Sequence, residues 1–214
     1  PGTLDVTVTY TWDDACNLSI RYEATTDKPT VINLTHHGYW NMAGEDSGDV
    51  MGQELMISAD EYTLVTPGLI PIKNVPVKGT PFDFTSMCRI GDKMAAMQAD
   101  ASLKPTDNWF DHNYFLRGKN GEMKHAATMK DPVSGRKMEI WTTEPCMQMY
   151  GAQNMTDDLN LPAKRIGAKY RRYQGVALET QHAPDSPNHP EFPSTVLRPG
   201  EKFVSTTEYR FFAE

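Results

Sequence analysis

The stretch "TLDVTVTYTW", residues 3–12, constrains the fold more than any other part of the chain. Leu4, Val6, Val8, Tyr10 and Trp12 alternate strictly with Thr3, Asp5, Thr7, Thr9 and Thr11. A helix would scatter those apolar side chains around its circumference, whereas a strand puts them all on one face. With its β-branched and aromatic content, the stretch is predicted to be a half-buried strand. Asp13-Asp14-Ala15-Cys16-Asn17 reads as a turn, and "LSIRYEAT" (18–25) then alternates again, which predicts a hairpin.

The same device recurs later. "KHAATMK" (124–130) and "RKMEIWTT" (136–143) flank Asp131-Pro132-Val133-Ser134-Gly135, whose proline and glycine suit a tight reversal. "KFVSTTEYRFF" (202–212) is a further strand. Helical periodicity is confined to two short candidates, Ile90 to Met97 and Ala163 to Tyr173. Between the strands lie long connections rich in proline and glycine, such as residues 66–84. No internal repeat and no linker divides the chain, so the expectation is one antiparallel all-β domain of sandwich type over residues 1–214.

Composition narrows the function. Hydrophobic residues make up 39% and charged residues 23%, which is ordinary for a globular domain. A net charge of −7 argues against nucleic acid or an anionic membrane as partner. No apolar run approaches the roughly 20 residues that a membrane-spanning helix requires. Cys16, Cys88 and Cys146 are odd in number and far apart, without a CxxC pattern. A reducing compartment, the cytoplasm, is the simplest expectation. A signal peptide upstream of Pro1 would lie outside this sequence.

Chemistry-bearing residues sit on loops and at strand ends. In "NLTHHGYWNMAG" (33–44) the adjacent His36 and His37 face opposite sides if the chain is extended there, so only one can point into a given site. The plainer alternative is a pair of loop histidines, one of them stacked on Tyr39 or Trp40. "NWFDHNYFL" (108–116) places Asp111 and His112 between aromatics. Asp111 suits a carboxylate accepting hydrogen bonds from a polyol, with Trp109 or Phe110 packed on the sugar's C–H face. It suits equally a turn cap entering the next strand.

In "TTEPCMQMY" (142–150), Pro145 confines that point to an edge or a strand end. Gln148 there offers both a donor and an acceptor. "ALETQHAPDSPNHPEFPS" (177–194) delivers Glu179 from the apolar run Val176-Ala177-Leu178 and then stiffens with four prolines. His182 and His189 lack the spacing of a metal pair, and no GxSxG, GxGxxG or Walker loop is present. Carboxylates plus a histidine in an aromatic-lined β scaffold point to proton transfer on a carbohydrate. Spacing alone leaves glycosidase and epimerase both open.

Taken together, "NLTHHGYWNMAG", "GTPFDF" (79–84), "FDHNYFL", "DPVSGRKMEIWTTEP" and "ALETQHAPDSPNHPEFPSTVLRPGE" resemble the aldose 1-epimerase (galactose mutarotase) family, in the family's order and across essentially the whole chain. The resemblance implies the large antiparallel galactose mutarotase-like β-sandwich. It implies that His37 is the general acid and Glu179 the general base in interconverting the α and β anomers of a free hexose such as galactose or glucose. Asp111 and Gln148 would hold sugar hydroxyls, and no metal or organic cofactor would be needed. His36 stands where the family usually has asparagine, Gly38 where serine is common, and Cys146 where glycine is frequent.

The match corresponds to the C-terminal portion of the family's length. The family's early strands, an arginine and a second histidine therefore have no counterpart here. Three situations would accommodate this: an N-terminal companion polypeptide, self-association burying an exposed sheet edge, or a truncated and weakly active product. The alternatives to a mutarotase are a non-catalytic carbohydrate-binding or regulatory protein on the same scaffold, or a hexose-6-phosphate 1-epimerase. The latter would need a basic cluster such as Lys164, Arg165, Lys169, Arg171 and Arg172.

Overall fold

In a computed structural model of the chain, residues 1–100, 103, 109–155 and 170–214 are described. Among them the order is β1 (Leu4–Trp12), β2 (Asn17–Thr26), β3 (Thr30–Val31), β4 (Tyr39–Trp40), β5 (Glu54–Ile57), β6 (Ala59–Val65), β7 (Pro71–Pro76) and β8 (Cys88–Arg89). Then follow α1 (Ile90–Ala99), β9 (Asp111–Leu116), β10 (Lys124–Lys130), β11 (Arg136–Thr142), β12 (Cys146–Tyr150), β13 (Val176–Gln181), β14 (Val196–Leu197) and β15 (Phe203–Ala213). Most of the second helix candidate, residues 163–169, lies outside the described residues, as do Lys164, Arg165 and Lys169.

Two antiparallel sheets form the sandwich. One has seven strands in the order β1-β2-β15-β11-β10-β5-β8, and the other six in the order β4-β13-β12-β9-β6-β7. Their inner faces meet in one core. Ile20, Leu55, Met129, Met138, Ile140 and Tyr209 come from the first sheet, and Tyr62, Tyr114, Met147, Met149, Val176 and Leu178 from the second. The alternation seen in sequence is the cause, because every second residue of these strands points inward.

The first hairpin forms in the expected register, with Leu4 opposite Thr26 and Trp12 opposite Leu18. Its first strand, however, is not half-buried. Tyr10 is 58% exposed and Trp12 60%, and Val6 and Val8 are exposed as well. The reason lies in the opposite sheet. Its edge strand β4 stands over β15, with the Trp40 ring 4.8 Å from that of Tyr209 and 5.8 Å from that of Phe211. Beyond β4 the chain reaches outward only as far as His36, 6.2 Å from the Tyr10 ring. Thus β1 projects past the sheet that would cover it. The pattern of a buried face is present and its cover is not provided by the described residues.

Two further expectations change. Residues 66–84 are not one irregular connection, because Pro71–Pro76 pair with β6 as the outermost strand of the six-stranded sheet. Its prolines stand at the first and last positions of an edge strand, where a missing N–H costs least. Glu179, placed at a strand end by sequence, is instead the fourth of six residues in β13. The apolar run ends before it, but the ladder continues to Gln181 opposite Cys146.

Candidate active site

The outward face of β13, β12 and β9 collects the polar residues. Gln148 lies directly opposite Glu179 on one side and Asn113 on the other. Two residues along, Tyr150 lies opposite both Ala177 and Asp111, and Ala177 is opposite Tyr39. Strand alternation puts all of these on one face while Leu178, Met149, Met147 and Tyr114 enter the core. Sequence reasoning named Glu179, Gln148 and Asp111 from three distant segments, and the sheet brings them together.

Their contacts are specific. Gln148 Nε2–H donates to Asp111 Oδ1 at 2.7 Å. That bond fixes which end of the amide faces the carboxylate, and it leaves Gln148 Oε1 without a partner among the described residues. The amide is therefore bonded to a side chain, not to backbone. Asn113 Nδ2–H donates to Thr63 Oγ1 at 3.1 Å, and the Thr63 hydroxyl donates to Asn74 Oδ1 at 3.0 Å. A polar row thus crosses five strands from Glu179 to Asn74.

The two histidines separate, as alternation requires. His36 turns toward the core side, among Tyr10, Trp40 and Tyr209. His37 turns the other way, its ring 5.0 Å from Tyr39 and 5.9 Å from Tyr150, with Nε2 at 3.4 Å from Glu179 Oε1. Burial raises the Glu179 carboxyl above its ordinary 4.5. The positive character of His37 opposes the rise and the nearby Asp111 charge adds to it. Asp111 is raised as well, first by burial, with the Gln148 hydrogen bond and His37 opposing. Burial outweighs the favourable neighbours at both carboxyls, as expected where water is largely excluded.

The acid limb of a rate profile that needs ionised Glu179 should therefore lie above pH 4.5. Because the Asp111 charge pushes Glu179 up, Asp111→Asn should move that limb to lower pH. A profile of kcat/KM against pH that stays put or moves upward would contradict the assignment.

Sequence reasoning also named residues that do other work. Phe110 is not a platform, because it is buried against Phe82 and Phe84. Trp109 packs on Tyr173 at 5.1 Å. His112 lies in the core beside Phe82 and Tyr62, where burial drops its pKa to about 4. His182 does not touch Glu179. Its Nδ1–H donates to the buried Glu144 at 2.7 Å, and its backbone N–H and carbonyl are both held by the Asn33 amide.

This pair ties the end of β13 to the turn before β12 and so secures the register that sets Glu179 beside Gln148. The prolines that follow carry a small core of their own, in which Phe192 packs on Phe115 at 5.1 Å beside Cys146 and Ala183. Tyr150 and Asn113 went unnamed in sequence, and Tyr39 was named only as a stacking partner for a histidine, which here is His37. Counting by two from Gln148 and Asp111 is the signal that reaches Tyr150 and Asn113.

Among the described residues no group of three or more His, Cys, Asp and Glu side chains is placed to hold a metal ion. Cys16, Cys88 and Cys146 are all unpaired. No helix among those residues is long and apolar enough to cross a membrane.

Comparison with known proteins places this face in context. Residues 1–210 match the sequence profile of the aldose 1-epimerase family. The chain is 40% identical to the aldose 1-epimerase of Escherichia coli strain K12, with all of this chain and 60% of the relative covered. It is 40% identical to human galactose mutarotase, covering 99% of this chain and 58% of that one. Among solved structures, a GalM/aldose epimerase homologue from C. elegans superposes with a TM-score of 0.80 at 28% identity, covering the whole of this chain and 61% of the other.

A galactose 1-epimerase from Lactobacillus acidophilus NCFM gives the same TM-score and identity, with 58% of that chain covered. The chain thus spans about 60% of the length of the curated relatives it matches. Each relative carries its greater length on one polypeptide, which lends no support to a separate companion chain. With the match running over nearly every residue and the fold agreeing, the chain belongs to the aldose 1-epimerase family.

Proposed function

We propose that this face opens and recloses the ring of a free hexose such as galactose or glucose, with Glu179 as general base and His37 as general acid. The observation that carries the reading is their adjacency, 3.4 Å between His37 Nε2 and Glu179 Oε1. Ring opening removes a proton from O1 and delivers one to the ring oxygen, and both oxygens are bonded to the same carbon. A base and an acid this close together can reach both oxygens in one encounter. Glu179 takes the O1 proton as the C1–O1 bond becomes a carbonyl, and His37 protonates the ring oxygen as its bond to C1 breaks. The aldehyde turns about C1–C2 and recloses with the roles exchanged. Two placed groups accomplish in one encounter what water does poorly at neutral pH.

Asp111 and Gln148 serve as hydroxyl ligands in this reading. The carboxylate has lone pairs beyond the one occupied by Gln148, whose own Oε1 is enclosed and without a partner among the described residues. The names of the relatives agree with a monosaccharide substrate. We place the reaction in a reducing compartment, the cytoplasm, in keeping with three unpaired cysteines.

Polarimetry tests the reading. A fresh solution of α-galactose should lose its excess rotation faster in the presence of the chain than in buffer. Asp111→Asn should raise KM more than it lowers kcat, as removal of a binding contact does. A buffer rate at every protein concentration would sink the proposal.

A further inference from the structure

His37 sits on a stretch that no strand ladder holds. Between β3 and β4, residues 32–38 belong to no strand, and β4 pairs with β13 only through Tyr39 opposite Ala177 and Trp40 opposite Val176. Among the described residues, none of residues 33–37 makes a backbone-to-backbone hydrogen bond. Packing alone does not fix the ring either, because the His37 side chain is 46% exposed, with Tyr39 and Tyr150 as its ring neighbours. Yet its Nε2 stands 3.4 Å from Glu179 Oε1.

Side chains do there what the ladder does not. Thr35 Oγ1–H donates to the Thr180 carbonyl at 3.0 Å. Asn33 Nδ2–H donates to the His182 carbonyl at 2.9 Å, and Asn33 Oδ1 accepts the His182 N–H at 3.0 Å. Backbone groups along one edge of a strand come from every second residue, and Asn33 and Thr35 keep that spacing against His182 and Thr180. Side chains therefore satisfy the edge of β13 that β4 leaves unpaired. The anchor is firm. Thr180 is buried, its hydroxyl lies 2.6 Å from that of Thr207, and the Thr207 hydroxyl lies 2.9 Å from that of Thr142, both in the opposite sheet. The peptide next to Glu179 is thus tied to both sheets, and Thr35 hangs the acid's segment from that peptide. Its bond is partly shielded from water whereas those of Asn33 are exposed, so Thr35 carries more of the hold.

We propose that Thr35 is a positioning residue for proton transfer, setting His37 beside Glu179 through the carbonyl of the residue that follows the base, with Asn33 as a second and weaker clip. The inference rests on the proposed function for the roles of His37 and Glu179. Loss of the Thr35 hydroxyl frees the chain between Asn33 and Tyr39 to move away from β13, and His37 moves with it. In that reading the sugar is held by Asp111 and Gln148 on β9 and β12, which stay where they are. The cost therefore falls on kcat and not on KM. His37 also opposes the rise of the Glu179 carboxyl that burial and the Asp111 charge produce, so its departure moves that carboxyl further up.

The test compares Thr35→Val, which keeps the shape and removes the donor, with Thr35→Ser, which restores the donor. With galactose, Thr35→Val should lower kcat by about 10- to 100-fold, as a misplacement on the order of 1 Å does, while KM changes by less than about twofold. The acid limb of its kcat/KM profile should move to higher pH. Thr35→Ser should return kcat to within about threefold of the parent and the limb to its place. A kcat for Thr35→Val within about twofold of the parent, a loss without movement of the limb, or no rescue by serine would leave Thr35 a structural role only and overturn the inference. Should Thr35→Val fail to fold, Asn33→Ala, at an exposed position, should lower kcat and raise the limb in the same sense by less, and no change there would equally overturn it. If the parent gives only the buffer rate, the proposed function fails by itself. NMR titration of the Glu179 carboxyl carbon then still decides: a midpoint higher in Thr35→Val than in the parent, and restored in Thr35→Ser, supports the positioning, and an unmoved midpoint refutes it.

Discussion

Glu179→Gln should lower the enzymatic rate of galactose anomerisation by about 10²- to 10⁴-fold, the usual contribution of a positioned general base. The amide keeps the shape of the side chain and its place opposite Gln148, so sugar should still bind with little change in affinity. It cannot take the O1 proton. The same substitution should stabilise the fold slightly at pH 7, and the sign follows from the carboxyl's raised pKa.

A carboxyl whose folded pKa lies above its unfolded one binds more protons in the folded state. Its contribution to stability is fully present below the unfolded pKa and is lost as pH rises through the folded one. At pH 7 the charged group is held in place against its burial, and the neutral amide removes that cost. The expected pair of results is therefore a collapsed rate with a midpoint of thermal unfolding no lower than that of the parent. Retention of more than a tenth of the catalysed rate would remove Glu179 from the role of base.

Leu178→Ala, one residue away, should do the opposite. Leu178 is fully buried among Met149, Val176 and the rest of the inter-sheet core. Truncating it removes methylenes and leaves a cavity between two sheets that cannot readily close, at a cost of about 2–5 kcal/mol. That is a large share of the 5–15 kcal/mol by which domains are usually stable. Urea titration should show a lower midpoint with an unchanged slope. At temperatures where the variant remains folded, kcat should stay near that of the parent, because the alanine still presents Glu179 on the outer face. A large loss of kcat in fully folded Leu178→Ala would show that the inner face tunes the chemistry as well as carrying it.

Local patterns reached a good part of this structure. The alternation of residues 3–12 and 18–25 gave the first hairpin, and the reversal at 131–135 gave the second, because both signals are contained within the segments that carry them. The exposure of Val8 and Tyr10 was not legible, since it depends on where a strand some thirty residues later ends its sheet. Edge strand β7 was hidden by prolines that forbid a central strand but tolerate an outer one.

At the site, Glu179, His37, Asp111 and Gln148 were named from motifs, yet no local rule states that Gln148 sits opposite Glu179. That juxtaposition is a matter of register between strands far apart in the chain. Trp109 and Phe110 were misread because an aromatic next to a functional carboxylate has no visible direction until the strand's first residue is fixed. One position decides whether it faces the sugar or the core.

The polar row from Glu179 through Gln148, Asn113 and Thr63 to Asn74 has a consequence for how the molecule loses function. No element of that row hangs on a separate loop that could fray alone; each member is a rung in the hydrogen-bonded ladder of one sheet. A slip of a single residue between β12 and β13 would bring Met149 opposite Glu179 in place of Gln148 and turn one strand's polar set inward. Partial opening of the sheet therefore offers no half-active species. Along a denaturant titration, catalysis and the protection of the β12–β13 amides against hydrogen exchange should vanish together, in a single cooperative step.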